Sequence, residues 1–260
     1  MDVLPTSKKF SLRGPSQQNA VDIFEGSWAS DFAEVCPEVE AGTCPFFTMD
    51  PRPDEAARCL GRDGRLDGMR ILELGPLEGA HTYRLEKLGA ASILAIEGNA
   101  EAYLKCLITK EITGLRAARF LHGDFTKYLA CARDRFDMVF CSGVLYHIVD
   151  PVTAILDIGR LTDKCFVWTH YYDKKLYHGP ARQVRQDPRY PGVDLFVQEF
   201  PDSEMQDGAF FGGTCPMSVW LSRGDLIATF RKAGLTNVEI IQDDLAAEIG
   251  PTLTFAACRD

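Results

Sequence analysis

The sequence RILELGPLEGAHTYRLEKLGAASILAIEGN, from Arg70 to Asn99, decides the fold of this chain. Arg70–Leu74 and Ser92–Ile96 are short apolar runs, which are typical of buried strands. Residues 75–79 predict a turn, and His81–Leu88 predicts a helix between the two strands. The stretch therefore predicts one βαβ unit, the smallest unit of a parallel sheet.

Strand-like and helix-like segments continue to alternate after this unit. Apolar residues at helical spacing predict a helix over Ala100–Thr113, with Asn99 as its N-cap. Asp150 followed by Pro151, and later Ser222, are typical helix starts. Further strands are predicted at residues 118–121, 136–141, 165–169, 238–241 and 252–256. This alternation predicts an α/β fold with a doubly wound, seven-stranded and mostly parallel sheet.

The segments outside this alternation predict the domain organisation. Residues 1–64 are interpreted as an N-terminal extension or lid, and residues 65–260 as the main domain. Residues 174–218 interrupt the rhythm with five prolines and the arginines Arg182, Arg185 and Arg189. Because a long irregular insertion in a compact domain usually carries function, we expect a lid or substrate-recognition element there. On a helix the three arginines would share one face and could bind an anionic group; a solvated surface is the alternative.

Composition restricts the classes of function. The 260 residues carry a net charge of −9, which argues against a broad nucleic-acid-binding surface. No apolar run approaches the roughly 20 residues that span a bilayer, and the N-terminus has no signal-peptide core. The nine cysteines are odd in number and have no CxxC spacing, which favours reduced thiols. We therefore expect a cytoplasmic protein without a membrane partner.

Ligands of doubly wound sheets bind where strands end, so the residues after each strand are the site candidates. A dinucleotide site prefers GxGxxG, whereas here Leu77 occupies the position of the second glycine and Gly75 and Gly79 are four residues apart. The carboxylate of Glu73 beside this turn suits a cationic ligand better than a pyrophosphate. S-adenosylmethionine fits, because it carries an ammonium and a sulfonium and no phosphate.

Acidic residues after the next two strands support the same ligand. Glu97 ends the second strand, where a carboxylate accepts hydrogen bonds from ribose hydroxyls. Asp124 follows the third strand and could meet the adenine amine, with Phe125 against the ring.

The segments ILELGPLEG, AIEGN, HGDF and FDMVFCSGVLYHIVDP together resemble the class I S-adenosylmethionine-dependent methyltransferases. The resemblance covers roughly residues 65–170 and implies a Rossmann-like sheet whose last strand is antiparallel. It implies that Glu73, Gly75 and Gly79 surround the methionine moiety, that Glu97 binds the ribose, and that Asp124 and Phe125 bind the adenine. Pro76 and Leu77 replace the commoner small residues of that turn. The remaining candidates for cofactor binding are Pro76, Leu77, Gly98, Asn99, Ser142, Gly143 and Trp28.

A second, shorter resemblance concerns the acceptor. SGVLYH is similar to a segment of the tRNA wobble-uridine carboxymethyltransferases, although the acidic charge counts against a tRNA substrate. Trp28 would suit an accessory aromatic residue placed over a ligand by a lid. The alternative for Trp28 is packing of the N-terminal segment onto the main domain.

Methyl transfer needs a nucleophile held in line and a group that accepts its proton. His147 and His170 stand at the ends of the fourth and fifth predicted strands, and histidine is the natural base near neutral pH. Tyr146 joins them as a candidate catalytic residue, and structural roles are the alternative for all three. His147, His170 and Asp173 could also ligate a metal, but their spacing is not diagnostic and we expect none.

The sequence thus predicts an S-adenosylmethionine-dependent methyltransferase that acts on a small molecule. An RNA-modifying methyl or carboxymethyl transferase, a nicotinamide-dependent oxidoreductase and a non-catalytic cofactor-binding protein are the alternatives. The acceptor atom and the oligomeric state stay open.

Overall fold

The computed structural model describes residues 11–200 and 215–260; the first part of the predicted extension and residues 201–214 of the predicted insertion lie outside the described residues. The strands of the central sheet are β1 (Arg70–Leu74), β2 (Ser92–Glu97), β3 (Ala118–His122), β4 (Met138–Ser142), β5 (Lys164–His170), β9 (Asn237–Asp244) and β10 (Thr252–Cys258). The strands β6 (Gln183–Arg185), β7 (Leu195–Glu199) and β8 (Met217–Leu221) form a second, three-stranded sheet.

The central sheet confirms the predicted fold class. Its order is β3-β2-β1-β4-β5-β10-β9, and β1 to β5 pair in parallel. β10 pairs antiparallel with both β5 and β9, so the last strand is the antiparallel one. The strand order reverses between β1 and β4, and the carboxyl ends of these two strands border the crevice where such sheets bind ligands.

The helices begin where local chemistry provides a cap. Asn99, Asp150 and Ser222 each accept a backbone N–H in the first turn of the helix that follows, as predicted. The helices are α1 (Gln17–Val21), α2 (Arg52–Leu60), α3 (Ala80–Lys87), α4 (Ala100–Thr113), α5 (Phe125–Cys131), α6 (Pro151–Leu161) and α7 (Arg223–Lys232). Short 3₁₀ turns cover Asp22–Phe24 and Leu145–His147.

Each face of the central sheet packs against its own apolar cluster. Val139, Cys141 and Val167 contact the cluster built with α6 and α7. Met138, Phe140 and Phe166 contact the cluster built with α2, α3 and α4. Because side chains alternate along a strand, Glu73, Ser142, Trp168 and His170 belong to this second face.

The N-terminal segment forms a third apolar cluster that packs on α3 and α4. Its members are Val21, Trp28, Phe32, Cys36, Val39, Phe47 and Ala80. Glu78, in the turn after β1, anchors this segment: its carboxylate accepts the N–H groups of Ala29 and Ser30 and lies 3.2 Å from Lys105 Nζ. Glu78 is 3% exposed and Lys105 5%, so the ion pair is buried.

The structure departs from the expectation of an irregular insertion and adds two details elsewhere. The insertion is not irregular throughout, because β6, β7 and β8 pair antiparallel. Arg182, Arg185 and Arg189 do not share a helix; Arg185 ends β6, and Arg189 lies beyond it in a turn. α5 was not expected, since its seven residues are too few to display a clear helical period.

No helix within residues 11–200 and 215–260 is long and apolar enough to cross a membrane.

Replacing the anchor carboxylate should destabilise the protein. We expect Glu78→Ala to lower the free energy of unfolding by roughly 2–4 kcal/mol, because two backbone donors lose their acceptor and the buried Lys105 ammonium loses one of its carboxylate partners. Urea denaturation measures this loss, and limited proteolysis should cut near residues 27–30. Glu101→Ala is the matched control: Glu101 also pairs with Lys105 at 3.0 Å, but its side chain is 48% exposed, so we expect a loss below about 1 kcal/mol. Equal losses in the two variants would contradict the anchoring role.

Candidate functional site

The turn after β1 has the backbone shape of a ligand-binding loop. Gly75, Leu77 and Gly79 all have positive φ, at 64°, 55° and 84°. A Cβ on Gly75 would lie 2.4 Å from Val144 Cγ1, so this position accepts no side chain. The Pro76 carbonyl accepts the N–H of Gly79 at 2.9 Å and closes the turn.

Glu73, one residue before the end of β1, is a buried carboxylate with one unsatisfied oxygen. Thr82 donates to Oε2 at 2.5 Å, whereas no described residue donates to Oε1. Burial raises the pKa of Glu73 to about 8; the Thr82 hydrogen bond opposes this shift, and the charge of Glu97 adds to it. A cationic ligand would satisfy Oε1 and lower this pKa again.

Glu97, at the end of β2, closes the other side of the turn. Its carboxylate accepts the N–H of Leu77 at 3.0 Å and the N–H of Asn99 at 2.8 Å. Burial raises the pKa of Glu97, while these backbone hydrogen bonds lower it. The carbonyl of Gly98 lies 3.2 Å from the His122 ring, so residues 97–99 are fixed by the ends of β2 and β3.

Asp124 and Phe125 lie at the carboxyl end of β3, where α5 begins. Asp124 Oδ1 accepts the N–H and the hydroxyl of Thr126 and caps the helix. Phe125 is partly buried against the core cluster on the α6 side of the sheet. Asp124 thus has a structural role in addition to the ligand-binding role expected from the sequence, because an aspartate that follows a strand is also a good N-cap for the next helix.

Ser142 and Gly143 lie at the carboxyl end of β4. The Gly143 N–H donates to the carbonyl of Trp168 at 2.9 Å and ties this end to β5. Ser142 Oγ accepts from Arg52 Nη1 at 3.0 Å, so the N-terminal segment reaches the same crevice.

Trp28 lies inside the N-terminal cluster rather than at a strand end. Its Nε1–H donates to the Val21 carbonyl at 2.9 Å, and its ring packs edge-on against Phe32. It is 7% exposed. This position favours packing, the alternative interpretation, over a lid placed above a ligand.

The three predicted catalytic residues come together in one aromatic cluster. The ring centroid of Tyr146 lies 4.0 Å from that of His147 and 4.7 Å from that of His170. Burial, with repulsion from His170, lowers the pKa of His147 to about 4, and burial raises the pKa of Tyr146 to about 12. Near neutral pH, His147 and Tyr146 are therefore uncharged.

His170 has a defined tautomer. Its Nδ1 lies 3.0 Å from the carbonyl oxygen of Gly250, which can only accept, so Nδ1 carries the proton. Burial lowers the pKa of His170; the hydrogen bond to Gly250 opposes this, and the charge of Arg182 lowers it further. In the neutral ring Nε2 carries a lone pair, as a base requires.

A cavity of about 310 Å³ opens beside His170. Trp168, His170, Gln242, Asp244, Ala247, Glu248, Ile249 and Thr252 line it. Because Ser142 and Trp168 are register partners, this cavity adjoins the end of β4. Two of its lining residues, Asp244 and Glu248, carry carboxyl groups.

No group of three His, Cys, Asp or Glu side chains suited to a metal ion occurs among the residues that the structure describes. Asp173, the third member of the alternative metal set, accepts the N–H of Lys175 at 2.8 Å.

Sequence reasoning missed three polar residues of this site. Asp50 accepts from Arg52 and lies 2.9 Å from His81 Nε2. Asp50 precedes α2, Arg52 begins α2 and His81 lies on α3. The contacts that bring them to the site, Asp50 to His81 and Arg52 to Ser142, are long-range, so no local pattern marks them.

A family model described as a methyltransferase domain matches residues 65–207. The chain is 26% identical to the tRNA U34 carboxymethyltransferase of Methylococcus capsulatus over 201 residues, which are 74% of this chain and 54% of that protein. It is 27% identical to the Campylobacter hominis protein of the same name over 93 residues, which are 36% of this chain and 32% of that one. The chain thus spans about half or less of the length of these curated relatives.

Solved structures share the fold. The N-terminal domain of EvdMO1, crystallised in the presence of SAH and D-fucose, superposes with a TM-score of 0.69 at 23% identity and covers 94% of each chain. The magnesium protoporphyrin IX methyltransferase of Synechocystis superposes with a TM-score of 0.52 at 16% identity, covering 80% of this chain and 82% of that one.

The unsatisfied carboxylate of Glu73 predicts a pH-dependent stability. A carboxyl whose folded pKa, about 8, exceeds the ordinary 4.5 stabilises the fold fully below pH 4.5 and loses that contribution as pH rises toward 8. We therefore expect the stability of Glu73→Gln, relative to wild type, to increase between pH 5 and pH 8 by roughly 1–3 kcal/mol. Denaturant unfolding at several pH values measures it. Glu111→Gln, at an exposed position of α4, is the matched control; a pH-independent difference for Glu73→Gln would refute the assignment.

Proposed function

The chain belongs to the methyltransferase-domain family, and we propose that it transfers the methyl group of S-adenosylmethionine to a small acceptor held beside His170. The match confirms the resemblance that the motifs ILELGPLEG, AIEGN, HGDF and FDMVFCSGVLYHIVDP indicate. The central sheet, with its single antiparallel last strand, agrees with it.

The residues at the carboxyl ends of β1 and β2 fit the cofactor. Glu73 Oε1 is a buried acceptor without a described donor, which suits the ammonium of the methionine moiety. Glu97 still has lone pairs for the ribose hydroxyls although it already accepts two backbone N–H groups. We assign the adenine to the region of Asp124 and Phe125, and Ser142 and Gly143 to the wall toward β4. When bound, S-adenosylmethionine would supply a methyl group attached to a cationic sulfur. That sulfur is a good leaving group, because it becomes a neutral thioether when the methyl group is transferred.

The observation that carries the acceptor proposal is the cavity of about 310 Å³ beside His170. Its volume falls within the range of pockets that hold small molecules. Trp168 forms one wall and is joined to Gly143 by a backbone hydrogen bond. The acceptor is therefore held next to the strand end assigned to the cofactor.

His170 is the proposed base. Its Nδ1–H is committed to the Gly250 carbonyl, so only Nε2 can take a proton. In the reaction the acceptor's lone pair forms a bond to the methyl carbon, the carbon–sulfur bond breaks toward sulfur, and the acceptor's proton passes to Nε2. His147 and Tyr146 pack around this imidazole and help to exclude water.

The lining indicates the chemical class of the acceptor. Gln242, Asp244 and Glu248 offer oxygen acceptors, which suit hydroxyl or amino groups and repel anions. An aromatic wall such as Trp168 suits the apolar face of a ring. A hydroxyl-bearing or amino-bearing ring is thus the preferred class, and D-fucose, present in the EvdMO1 domain structure, belongs to it.

A nucleic acid is the second candidate, because the curated relatives are named tRNA U34 carboxymethyltransferases. The charges near the insertion favour it less. Arg185 pairs with Glu199 at 2.6 Å, and Arg189 pairs with Asp187 at 2.7 Å and with Asp150 at 3.0 Å. These guanidinium groups are already neutralised by neighbouring carboxylates.

Removing the base should lower turnover more than cofactor binding. We expect His170→Ala to reduce kcat by roughly 100-fold or more, while the thermal shift produced by S-adenosylmethionine stays within experimental error. Because the neutral imidazole is the active form, the wild-type rate should fall as pH drops through the lowered pKa of His170, below the ordinary value of about 6.5. Stopped-time assays with labelled cofactor across pH 5–8 measure both effects.

His178→Ala is the matched control, because His178 is exposed and lies outside the aromatic cluster. Equal losses of turnover and cofactor affinity in His170→Ala would assign His170 to binding instead. The acceptor itself is tested with labelled cofactor against a panel of neutral, amino-bearing and anionic small molecules, with bulk tRNA as a separate arm. Labelling of tRNA alone would replace the small-molecule proposal with the second candidate.

A further inference from the structure

The guanidinium of Arg52 reaches the ligand crevice from outside the matched methyltransferase domain. Arg52 is the first residue of α2, yet its Nη1 donates to Ser142 Oγ at 3.0 Å at the end of β4. Its Cζ lies 4.9 Å from the ring centroid of Trp168, at the end of β5. The side chain is 20% exposed, so it is largely enclosed by these contacts.

This position is the point where the strand order reverses. Ser142 follows Cys141, and Cys141 is the register partner of Leu74 at the end of β1. The hydroxyl that binds Arg52 therefore borders the crevice between β1 and β4. Ligands of open parallel sheets bind in this crevice.

Asp50 orients the guanidinium and leaves part of it unused. Asp50 accepts from Arg52 Nε at 2.8 Å and also from Nη2. Although burial alone would raise it, the pKa of Asp50 lies well below its usual range because Arg52 and His81 donate to the carboxylate. A guanidinium has five N–H donors, so one hydrogen on Nη1 and one on Nη2 are not used by these contacts.

Glu73, a carboxylate that can accept hydrogen bonds, lies on the same face of the sheet as the donor Arg52. His81 and Thr82 are consecutive residues of α3: His81 contacts Asp50, and Thr82 donates to Glu73. The crevice thus contains a guanidinium with free donors and, one α3 residue away, Glu73 Oε1 without a described donor. An ammonium and a carboxylate on one carbon, the zwitterionic end of an amino acid, match these two groups.

We propose that Arg52 binds the α-carboxylate of the methionine moiety of the cofactor, opposite the ammonium that Glu73 accepts. This inference rests on the proposed function, because it needs the cofactor in this crevice. It assigns to residues before 65 a direct part in cofactor binding. Asp50 and His81 are positioning residues that fix the guanidinium.

A carboxylate on the acceptor would present the same chemistry to Arg52, and the experiment separates the two sources. Calorimetric titrations use S-adenosylhomocysteine, which has the amino-acid end, and 5′-methylthioadenosine, which lacks it. The variants are Arg52→Met and Arg52→Lys, with Arg58→Met as the control. Arg58 lies on the same helix, and its side chain is 58% exposed.

We expect Arg52→Met to weaken the binding of S-adenosylhomocysteine by roughly 10- to 100-fold, as for the loss of a charged hydrogen-bonded pair. Binding of 5′-methylthioadenosine should change less than about twofold, because that ligand never meets the guanidinium. Arg52→Lys keeps the charge but not the fork, so its loss should be intermediate. Arg58→Met should bind both ligands as wild type does.

Unchanged binding of S-adenosylhomocysteine by Arg52→Met overturns the inference. The inference is also overturned if Arg52→Met and Arg52→Lys each lose as much affinity for 5′-methylthioadenosine as for S-adenosylhomocysteine. If only the KM of the acceptor rises, Arg52 binds the acceptor and the inference is overturned. If the wild-type protein binds neither ligand, the proposed function itself fails. If the wild type binds and the Arg52→Met variant binds equally well, only the inference about Arg52 fails.

Discussion

Three carboxylates, those of Glu73, Glu78 and Glu97, are buried around the turn that follows β1. Burying a carboxylate without donors is costly, so each must find partners or become protonated. Glu97 finds two backbone N–H groups, and Glu78 finds two backbone N–H groups and an ammonium. Glu73 finds only the hydroxyl of Thr82, and burial raises its pKa to about 8. Glu78 and Glu97 therefore have enough hydrogen-bond donors within the protein, whereas Glu73 can accept a further donor from a ligand.

The hydrogen bonds of Glu78 bring the N-terminal segment to the site. Glu78 holds the backbone at Ala29 and Ser30, and the cluster around Phe32 and Phe47 covers α3 and α4. With this segment packed against α3, the loop before α2 can bring Asp50 to His81. Cofactor-binding chemistry and attachment of the extension thus depend on neighbouring residues of one turn. This is why a carboxylate that touches no ligand can still determine the shape of the crevice.

The sequence predicted the sheet because its signals are local. Short apolar runs mark the strands, and Asn99, Asp150 and Ser222 mark helix starts through contacts within one turn. The second sheet was not predicted, because prolines obscure its strands and β7 pairs with β8 across the residues between them. The Arg52–Ser142 contact spans 90 residues, and no spacing along the chain encodes it. The candidate residues at strand ends could therefore be identified from the sequence, whereas the side chains that reach them from elsewhere could not.

The second sheet and Arg182 beside it pack around the proposed base. Trp220, on β8, donates its Nε1–H to the carbonyl of Tyr146 at 3.0 Å, and its ring stacks with His170 at 5.0 Å and 18°. Arg182 Cζ lies 4.0 Å from the centroid of the Trp220 ring. Burial lowers the pKa of His170, and the charge of Arg182 lowers it further. A cation beside the stack disfavours a second positive charge on the imidazole, so His170 stays neutral and Nε2 stays available. The second sheet therefore belongs to the chemistry of the site: without Trp220, the ring of His170 would keep the hydrogen bond to Gly250 but lose the stacking surface that holds its plane.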